Sequence, residues 1–209
     1  GTAVRQDELM KWQEPSTPGG AHSRAQAVLA NARSAFIARN LGIADATTSD
    51  QCVGCHTSAA KGAPMGQWSD GVTCESCHGN AGGWLASHYA GVLDAPNPAS
   101  EARAKHLANV RAGLTDLKDP VVRAGVCVDC HFGSERQGQF VTHRIMAAGH
   151  PRIAFELDLF SSLQLHHQED ADYGWRLAGS DGARSDHVQL WAVGQAEVLL
   201  RSLDLFQTA

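Results

Sequence analysis

The sequence has no long apolar run and few aromatic residues. No stretch approaches the roughly 18 to 20 apolar residues that a membrane-spanning helix requires, and aromatic side chains make up only 6% of the 209 residues. Strong net charge is also absent, since the formal charge is −5 and 43% of the residues are hydrophobic. Disordered chains combine low hydrophobicity with high net charge, so this composition predicts a folded globular protein.

Cysteine and histidine, by contrast, are abundant, with six and eleven residues. Every cysteine falls in one of three copies of the pattern C-x-x-C-H, at residues 52–56, 74–78 and 127–131. This pattern is the attachment signature of c-type haem, in which two thiols bond to one porphyrin and the histidine binds its iron. The sequence therefore predicts three covalently attached haems. The predicted attachment residues are Cys52, Cys55, Cys74, Cys77, Cys127 and Cys130, and the predicted proximal iron ligands are His56, His78 and His131.

Zinc binding is the alternative that the cysteine spacing permits. Eighteen residues separate Cys55 from Cys74, which is within the range of a four-cysteine zinc site. Such a site has no use for a histidine after every pair, and it would leave the third pair unmatched. A disulfide framework is disfavoured because six cysteines are too sparse for a scaffold built on disulfides. The repeated motif therefore favours haem.

The haem motifs also predict a compartment. Haem is attached to reduced thiols outside the cytoplasm, so we expect a periplasmic or extracellular protein. The sequence starts at Gly1 without the basic and apolar regions of a signal peptide, which predicts a mature form lacking that peptide. The acidic charge of −5 argues against nucleic acid and favours basic redox partners. We therefore expect redox donor and acceptor proteins, free or within a larger oxidoreductase complex, and no membrane segment in this chain.

Apolar spacing predicts a mostly α, loop-rich single domain over residues 1–209, with haems forming much of its core. Strand signals are almost absent. Prolines and glycines predict an extended lead-in over residues 1–20. Helical periodicity predicts a first long helix from about residue 22 to 41 and a C-terminal amphipathic helix over 186–206. Further helices are expected near 100–114, 120–131, 142–149 and 155–165.

The segments around the motifs resemble a known family. Residues 50–88 contain CVGCH, GVTCESCHG and WLASH, and residues 123–157 contain RAGVCVDCHFG and VTHRIMAAGHPRIAFEL. These segments are similar to multihaem c-type cytochromes related to the tetrahaem cytochrome c of the ammonia-oxidation (hydroxylamine) pathway. The resemblance covers about residues 20–170, with three motifs where the tetrahaem relative has four. It implies an electron-transfer protein.

Eight histidines remain for the distal sides of the irons. In the resemblance, the distal ligands match His22 at the head of the first long helix, His88 after the WLAS segment, and His150 in the AGHP element. Each lies at a helix end or beside Gly or Pro, where the backbone can fix the direction of the ring. His143 is the alternate distal ligand or pocket residue, because it precedes His150 by about two helical turns. Methionine is the competing ligand type, and Met65 is its candidate in a loop.

Other residues have less specific interpretations. Arg144 and Arg152 flank the AGHP element and are candidates to pair with haem propionates or to be solvated. Trp68 and Trp84 are candidates to stack on haem or to belong to the core. Four histidines are predicted to be structural or surface residues rather than ligands: His106, His166, His167 and His187.

Eight histidines are available as distal ligands for three irons, and this number favours one function over two alternatives. Bis-histidine irons have no open coordination position, so we expect a triheme cytochrome that transfers single electrons and is a carrier rather than an enzyme. The first alternative is a haem enzyme with one open distal site, acting on a small nitrogen or sulfur oxyanion, nitric oxide or peroxide, with His143 moving protons. The second is a fixed subunit of a larger oxidoreductase. The 22-residue step between the first two motifs predicts a closely packed pair, with the third haem continuing the path.

Overall fold

Helices dominate the structure, which is a computed structural model, and the mostly α class predicted from the sequence is confirmed. Within the described part of the chain, the strands are β1 (Gly133–Ser134) and β2 (Gln139–Phe140), which pair antiparallel with Gly133 opposite Phe140. None of the helices in that part combines the length and apolar character of a membrane span. The residues that the structure describes are 8–58, 70–89, 98–134, 139–152, 154–164 and 181–208.

Most of the helices are short, and three of them end on the histidine of a C-x-x-C-H motif. Three 3-10 turns, at Pro18–Gly20, His22–Arg24 and Ala27–Ala30, precede the second helix. The helices are α1 (Glu8–Gln13), α2 (Ala32–Leu41), α3 (Asp50–His56), α4 (Cys74–His78), α5 (Leu85–Tyr89), α6 (Pro98–Arg111), α7 (Pro120–His131), α8 (His143–Ala147), α9 (Leu157–Leu163) and α10 (Asp181–Thr208).

The N-terminal segment differs from the extended lead-in predicted over residues 1–20. Its described part forms α1 and a 3-10 turn. The indole Nε1 of Trp12 donates to the carbonyl of Val72 at 2.9 Å, and the Arg24 guanidinium donates to the carbonyl of Glu14. The prediction was wrong because contacts with distant residues order a segment whose composition is typical of a loop.

The helix predicted from about residue 22 to 41 is broken at Asn31. Two 3-10 turns come first, and Asn31 then adopts an extended backbone conformation with φ −82° and ψ 167°. Its side chain accepts a hydrogen bond from the Ser34 amide at 2.8 Å, which makes it the N-cap of α2. Asparagine is a strong N-cap residue, so the local cap competes with a continuous helix. Gly42, with φ +73°, ends α2 close to the predicted end of the helix at residue 41.

Two small apolar clusters are buried among the described residues, and each borders a C-x-x-C-H motif. Cys52 packs against the first cluster, and Cys127 packs against the second. The core residues nearest to these cysteines therefore position the attachment sites. The clusters consist of Leu29, Ala38, Ala46 and Val53 around α2 and α3, and of Ala124, Leu157 and Leu190 between α7, α9 and α10.

Helix α7 lies among several other elements. It contacts α3, α4, α10 and both strands. Arg201 on α10 donates to Asp129 on α7 at 3.0 Å and also pairs with Glu197 at 3.4 Å. At the start of α7, the Asp119 side chain accepts from the Val121 amide at 2.8 Å. The third motif is thus held at the centre of the described structure.

The remaining helix predictions agree with the structure within a few residues. The C-terminal helix predicted over 186–206 extends further at both ends, because α10 spans Asp181–Thr208. The helix expected near 100–114 is α6, which begins two residues earlier and ends at Arg111. The helices expected near 142–149 and 155–165 are the shorter α8 and α9.

Candidate haem centres

Each C-x-x-C-H motif forms the end of a helix. His56, His78 and His131 are the last residues of α3, α4 and α7. Residues four apart lie on the same face of a helix, so the first cysteine of each motif and its histidine face the same side. None of the six cysteines forms a disulfide. Each motif therefore presents two thiols and an imidazole together, as haem attachment requires.

The first motif lies next to a histidine from a distant part of the chain at site 1, which we define as His56 and His150. Their ring centroids are 6.4 Å apart, and the ring planes are inclined by 83°. An imidazole nitrogen lies about 2 Å from a bound transition metal, so rings on opposite sides of one iron have centroids roughly 6 Å apart. The separation at site 1 fits one iron between two imidazoles.

Hydrogen bonds orient both rings of site 1. Nδ1 of His56 lies 2.7 Å from the carbonyl oxygen of Ala25, and Nδ1 of His150 lies 2.8 Å from that of Pro151. A carbonyl oxygen only accepts, so each Nδ1 carries the hydrogen and each Nε2 keeps its lone pair for a metal. Burial lowers the pKa of His56, which favours the neutral form that binds metals.

The third motif forms the second such pair at site 3, defined as His131 and His22. The ring centroids are 6.1 Å apart, with the planes inclined by 70°. Two aromatic rings flank His131: the Phe160 ring centroid is 4.9 Å away, and the Phe155 ring centroid is 6.3 Å away. Burial in these surroundings, and then the nearby His22, lower the pKa of His131 to about 4. Burial also lowers the pKa of His22, and a hydrogen bond with the Gln164 side chain opposes that shift.

The second motif contributes site 2, defined as His78, Trp84 and His88. The Trp84 ring lies 6.5 Å from the ring of His78 and 5.6 Å from that of His88. Trp84 is 7% exposed, and its Nε1 finds no acceptor among the described residues. A buried N–H without an acceptor is rare because it is energetically costly, and a haem carboxylate would accept from it. The residues present at this site therefore fit a haem.

The attachment cysteines of different motifs also meet. Interaction with the Cys55 thiol, and then burial, raise the pKa of Cys130. Burial raises the pKa of Cys127 to about 12, and the neighbouring Cys77 contributes to that shift. The third motif contacts both others, because α7 packs against α3 and α4. The closely packed pair expected from the first and second motifs remains a prediction.

The other candidates occupy different surroundings. His143 is exposed at the start of α8 and enters neither ring pair of sites 1 and 3. Arg144 donates to the Leu41 carbonyl at 3.2 Å, and Arg152 is exposed. The two described histidines without a predicted ligand role are paired with carboxylates: His106 with Asp116 at 3.0 Å, and His187 with Asp158 at 2.7 Å. The candidates that lie outside the described residues are Met65, Trp68, His166 and His167.

Sequence reasoning missed the groups that hold the rings in place. The Ala25 and Pro151 carbonyls are backbone groups, and because every residue has one, no sequence pattern identifies them. Gln164 follows α9 in the chain and has no motif around it. Across the described ranges, no three His, Cys, Asp or Glu side chains converge as a metal-ligand group. A haem iron takes only two axial ligands from the protein, so facing pairs of rings are the arrangement that it requires.

Comparison with known proteins supports the same chemistry. Residues 6–79 match the family described as cytochrome c554 and c-prime. The matched segment spans about a third of the chain and contains the first two motifs and His22. The match supports a multihaem c-type cytochrome family, and with it covalently bound haem, electron transfer and redox partners. No curated protein and no solved structure shows a significant match to the chain.

Proposed function

We propose that this protein is a triheme c-type cytochrome that passes single electrons between redox proteins outside the cytoplasm. The observation that carries the proposal is the pairing of His56 with His150 and of His131 with His22, at 6.4 and 6.1 Å. The partner ring in each pair comes from a distant part of the chain. Two such pairs, each on the histidine of a different C-x-x-C-H motif, are what bis-histidine haems need.

The ligand assignment follows from these pairs. His150 is the distal ligand opposite His56, and His22 is the distal ligand opposite His131. His88 is the proposed distal ligand of the second haem, because Trp84 contacts both its ring and that of His78. His143, exposed at the start of α8, becomes a surface residue in this assignment. In this function the protein would resemble the electron-carrying cytochromes related to the tetrahaem protein of the hydroxylamine pathway.

The residues of this chain hold each iron and limit its access to water. Haem supplies a one-electron iron couple when bound. Neutral imidazoles bind it, because burial keeps the pKa values of His22, His56 and His131 below the ordinary value. Histidines on both sides of each iron would leave no coordination position for a substrate, which supports a carrier rather than an enzyme.

The contact between motifs supports a route for the electron. Helix α7, which carries the third motif, contacts both α3 and α4, which carry the first and the second. Residues of α7 would therefore hold the haem of the third motif next to the other two, which is the arrangement that electron exchange between haems would need. The partners are redox proteins, and the net charge of −5 favours basic surfaces on them.

The test is electron paramagnetic resonance on the fully oxidised holoprotein, with spins counted against total iron. Mass spectrometry first establishes the haem number, and we expect three. Low-spin ferric signals should account for all of the iron. A high-spin signal from about one third of the iron would overturn the carrier assignment and favour the alternative, an enzyme with one open distal site. A mass with fewer than three haems would contradict the triheme assignment.

A further inference from the structure

The segment that carries His150 lies directly against helix α2. Gly149 has φ +116°, a conformation that residues with a side chain rarely adopt. A Cβ at this position would lie 3.3 Å from the Phe36 ring and 3.4 Å from Ile37. Only glycine lets the backbone approach the helix this closely. The residue before the proposed ligand therefore packs on α2 itself.

Two side chains of α2 bind the carbonyls that immediately precede His150. Asn40 donates from Nδ2 to the Ala148 carbonyl at 2.9 Å. Arg33 donates from Nη2 and Nε to the Gly149 carbonyl at 3.1 and 3.3 Å. Hydrogen bonds from a charged guanidinium are stronger than neutral ones, and two from one fork fix direction as well as distance. Arg33 and Asn40 are seven residues apart, so they lie about two turns apart on one face of α2.

The same stretch of chain also orients the opposite ring. The carbonyl of Ala25, seven residues before α2 begins, accepts from Nδ1 of His56 at 2.7 Å. Residues 25–40 therefore contact both sides of site 1, through a backbone acceptor on the proximal side and two side-chain donors on the distal side.

We propose that Arg33 and Asn40 are positioning residues that hold His150 on the iron of the first haem. This inference rests on the proposed function, in which His56 and His150 are the axial ligands of that iron. The two side chains act through the 148–149 backbone and do not touch the ring. Groups hydrogen-bonded to a metal ligand change metal affinity about 10- to 100-fold when they are removed, and we expect a smaller change here because Arg33 and Asn40 act through the backbone.

The experiment uses the holoprotein with Arg33→Ala and Asn40→Ala combined. We expect weaker binding of iron by His150, seen as a high-spin ferric signal from up to one of the three irons and as carbon monoxide binding at that iron after reduction. The other two irons should keep their low-spin signals. When Arg33→Lys replaces Arg33→Ala in the double variant, part of the low-spin signal should return, because lysine keeps a charged donor without the guanidinium fork.

The matched control is Arg144→Ala. Arg144 joins the same two regions by donating to the Leu41 carbonyl at 3.2 Å, but it binds neither carbonyl before His150. A merely structural role for α2 would make this variant resemble the double variant. The inference predicts instead that Arg144→Ala keeps three low-spin irons and binds no carbon monoxide.

A third variant, His150→Ala, separates this inference from the proposed function. If His150→Ala leaves all irons low-spin, the ligand assignment fails. If it produces one high-spin iron while the double variant produces none, the assignment stands and the positioning role of Arg33 and Asn40 is overturned. If the double variant fails to fold, the single variants Arg33→Gln and Asn40→Ser are measured in the same way, and an unchanged spectrum in both overturns the inference.

Discussion

Sites 1 and 3 share a motif but differ in what surrounds it. At site 1, backbone carbonyls accept from Nδ1 of both His56 and His150. At site 3, the rings of Phe155 and Phe160 flank His131. Hydrogen bonds that raise ligand basicity stabilise ferric iron, whereas apolar surroundings disfavour the extra charge of the ferric state. We therefore expect a higher reduction potential for the third haem than for the first.

The two sites also differ in how much of the fold depends on them. Site 1 is held by residues 25–40 on one side and by the AGHP element on the other. Site 3 is attached to α7, which contacts α3, α4 and α10. The structural effect of a substitution at site 1 is expected to stay near that site. The effect of a substitution at site 3 is expected to reach the helices that α7 contacts.

The largest effect is expected from detaching the third haem. Replacing Cys127 and Cys130 by serine removes its covalent bonds at the centre of the described structure, where Cys127 packs against the second apolar cluster. We expect the free energy of unfolding to fall by more than about 4 kcal/mol. Urea unfolding followed by circular dichroism measures it, on protein whose mass establishes the remaining haems.

The matched control for that variant is the pair Cys52→Ser and Cys55→Ser. It removes the first haem in the same way, from α3 rather than from α7. A smaller loss of stability is expected, since α3 has fewer neighbours among the described elements. Equal losses in the two variants would contradict the central role of α7.

The next effect in size is expected at Leu157, which is fully buried, at 0% exposure, between α7 and α10. Leu157→Ala removes this contact and leaves a cavity, which destabilises proteins by about 2 to 5 kcal/mol. Thermal unfolding of the holoprotein measures the loss. Leu159→Ala on the same helix is the control, because Leu159 is 51% exposed, and a change within about 0.5 kcal/mol is expected there. Similar losses in the two variants would refute the second cluster as a core.

A smaller effect is expected from Phe160→Ala, which tests the difference in potential directly. Removing the ring 4.9 Å from His131 admits water to site 3 and stabilises the ferric state. The potential of one haem should fall, by less than the roughly 59 mV that a tenfold change represents. Spectroelectrochemical titration measures the reduction potentials of the three haems. Phe206→Ala, at a side chain 82% exposed on α10, should leave all three unchanged, and a fall confined to another haem would contradict the assignment.

Much of both sites is predictable from sequence because haem attachment is a local requirement. Two thiols and an imidazole must lie within five consecutive residues, so spacing alone predicts His56 and His131 as candidate iron ligands. The candidates His22 and His150 came from a resemblance and from their positions near helix ends and glycine or proline. Their pairing with particular motifs was not predictable, because it depends on how residues 22 and 131 meet in the fold.

The errors in the fold have the same origin. Composition marks residues 1–20 as a loop, whereas tertiary contacts such as that between Trp12 and Val72 order the described part. The contacts of α7 with α3 and α4 were not predictable either, because the third motif lies much further along the chain. The residues that attach a haem are consecutive in the chain, whereas tertiary packing decides which elements lie next to each motif.

The smallest effect is expected at Gln164, which tests the hydrogen bond on the distal side of site 3. Its side chain bonds to His22 and opposes the lowering of the pKa of that histidine by burial, whereas at site 1 the Pro151 carbonyl orients His150. Gln164→Leu keeps the size of the side chain but loses the bond, so His22 should stay on the iron with a freer ring. We expect a shift in the g values of one low-spin signal and no high-spin iron, since outer hydrogen bonds tune a ligand without supplying the metal bond. Gln189→Leu, at an exposed position of α10, is the control and should leave every signal in place. A shift in two signals would mean that Gln164 supports the fold around both sites, and the contrast between the sites would lose its simplest explanation.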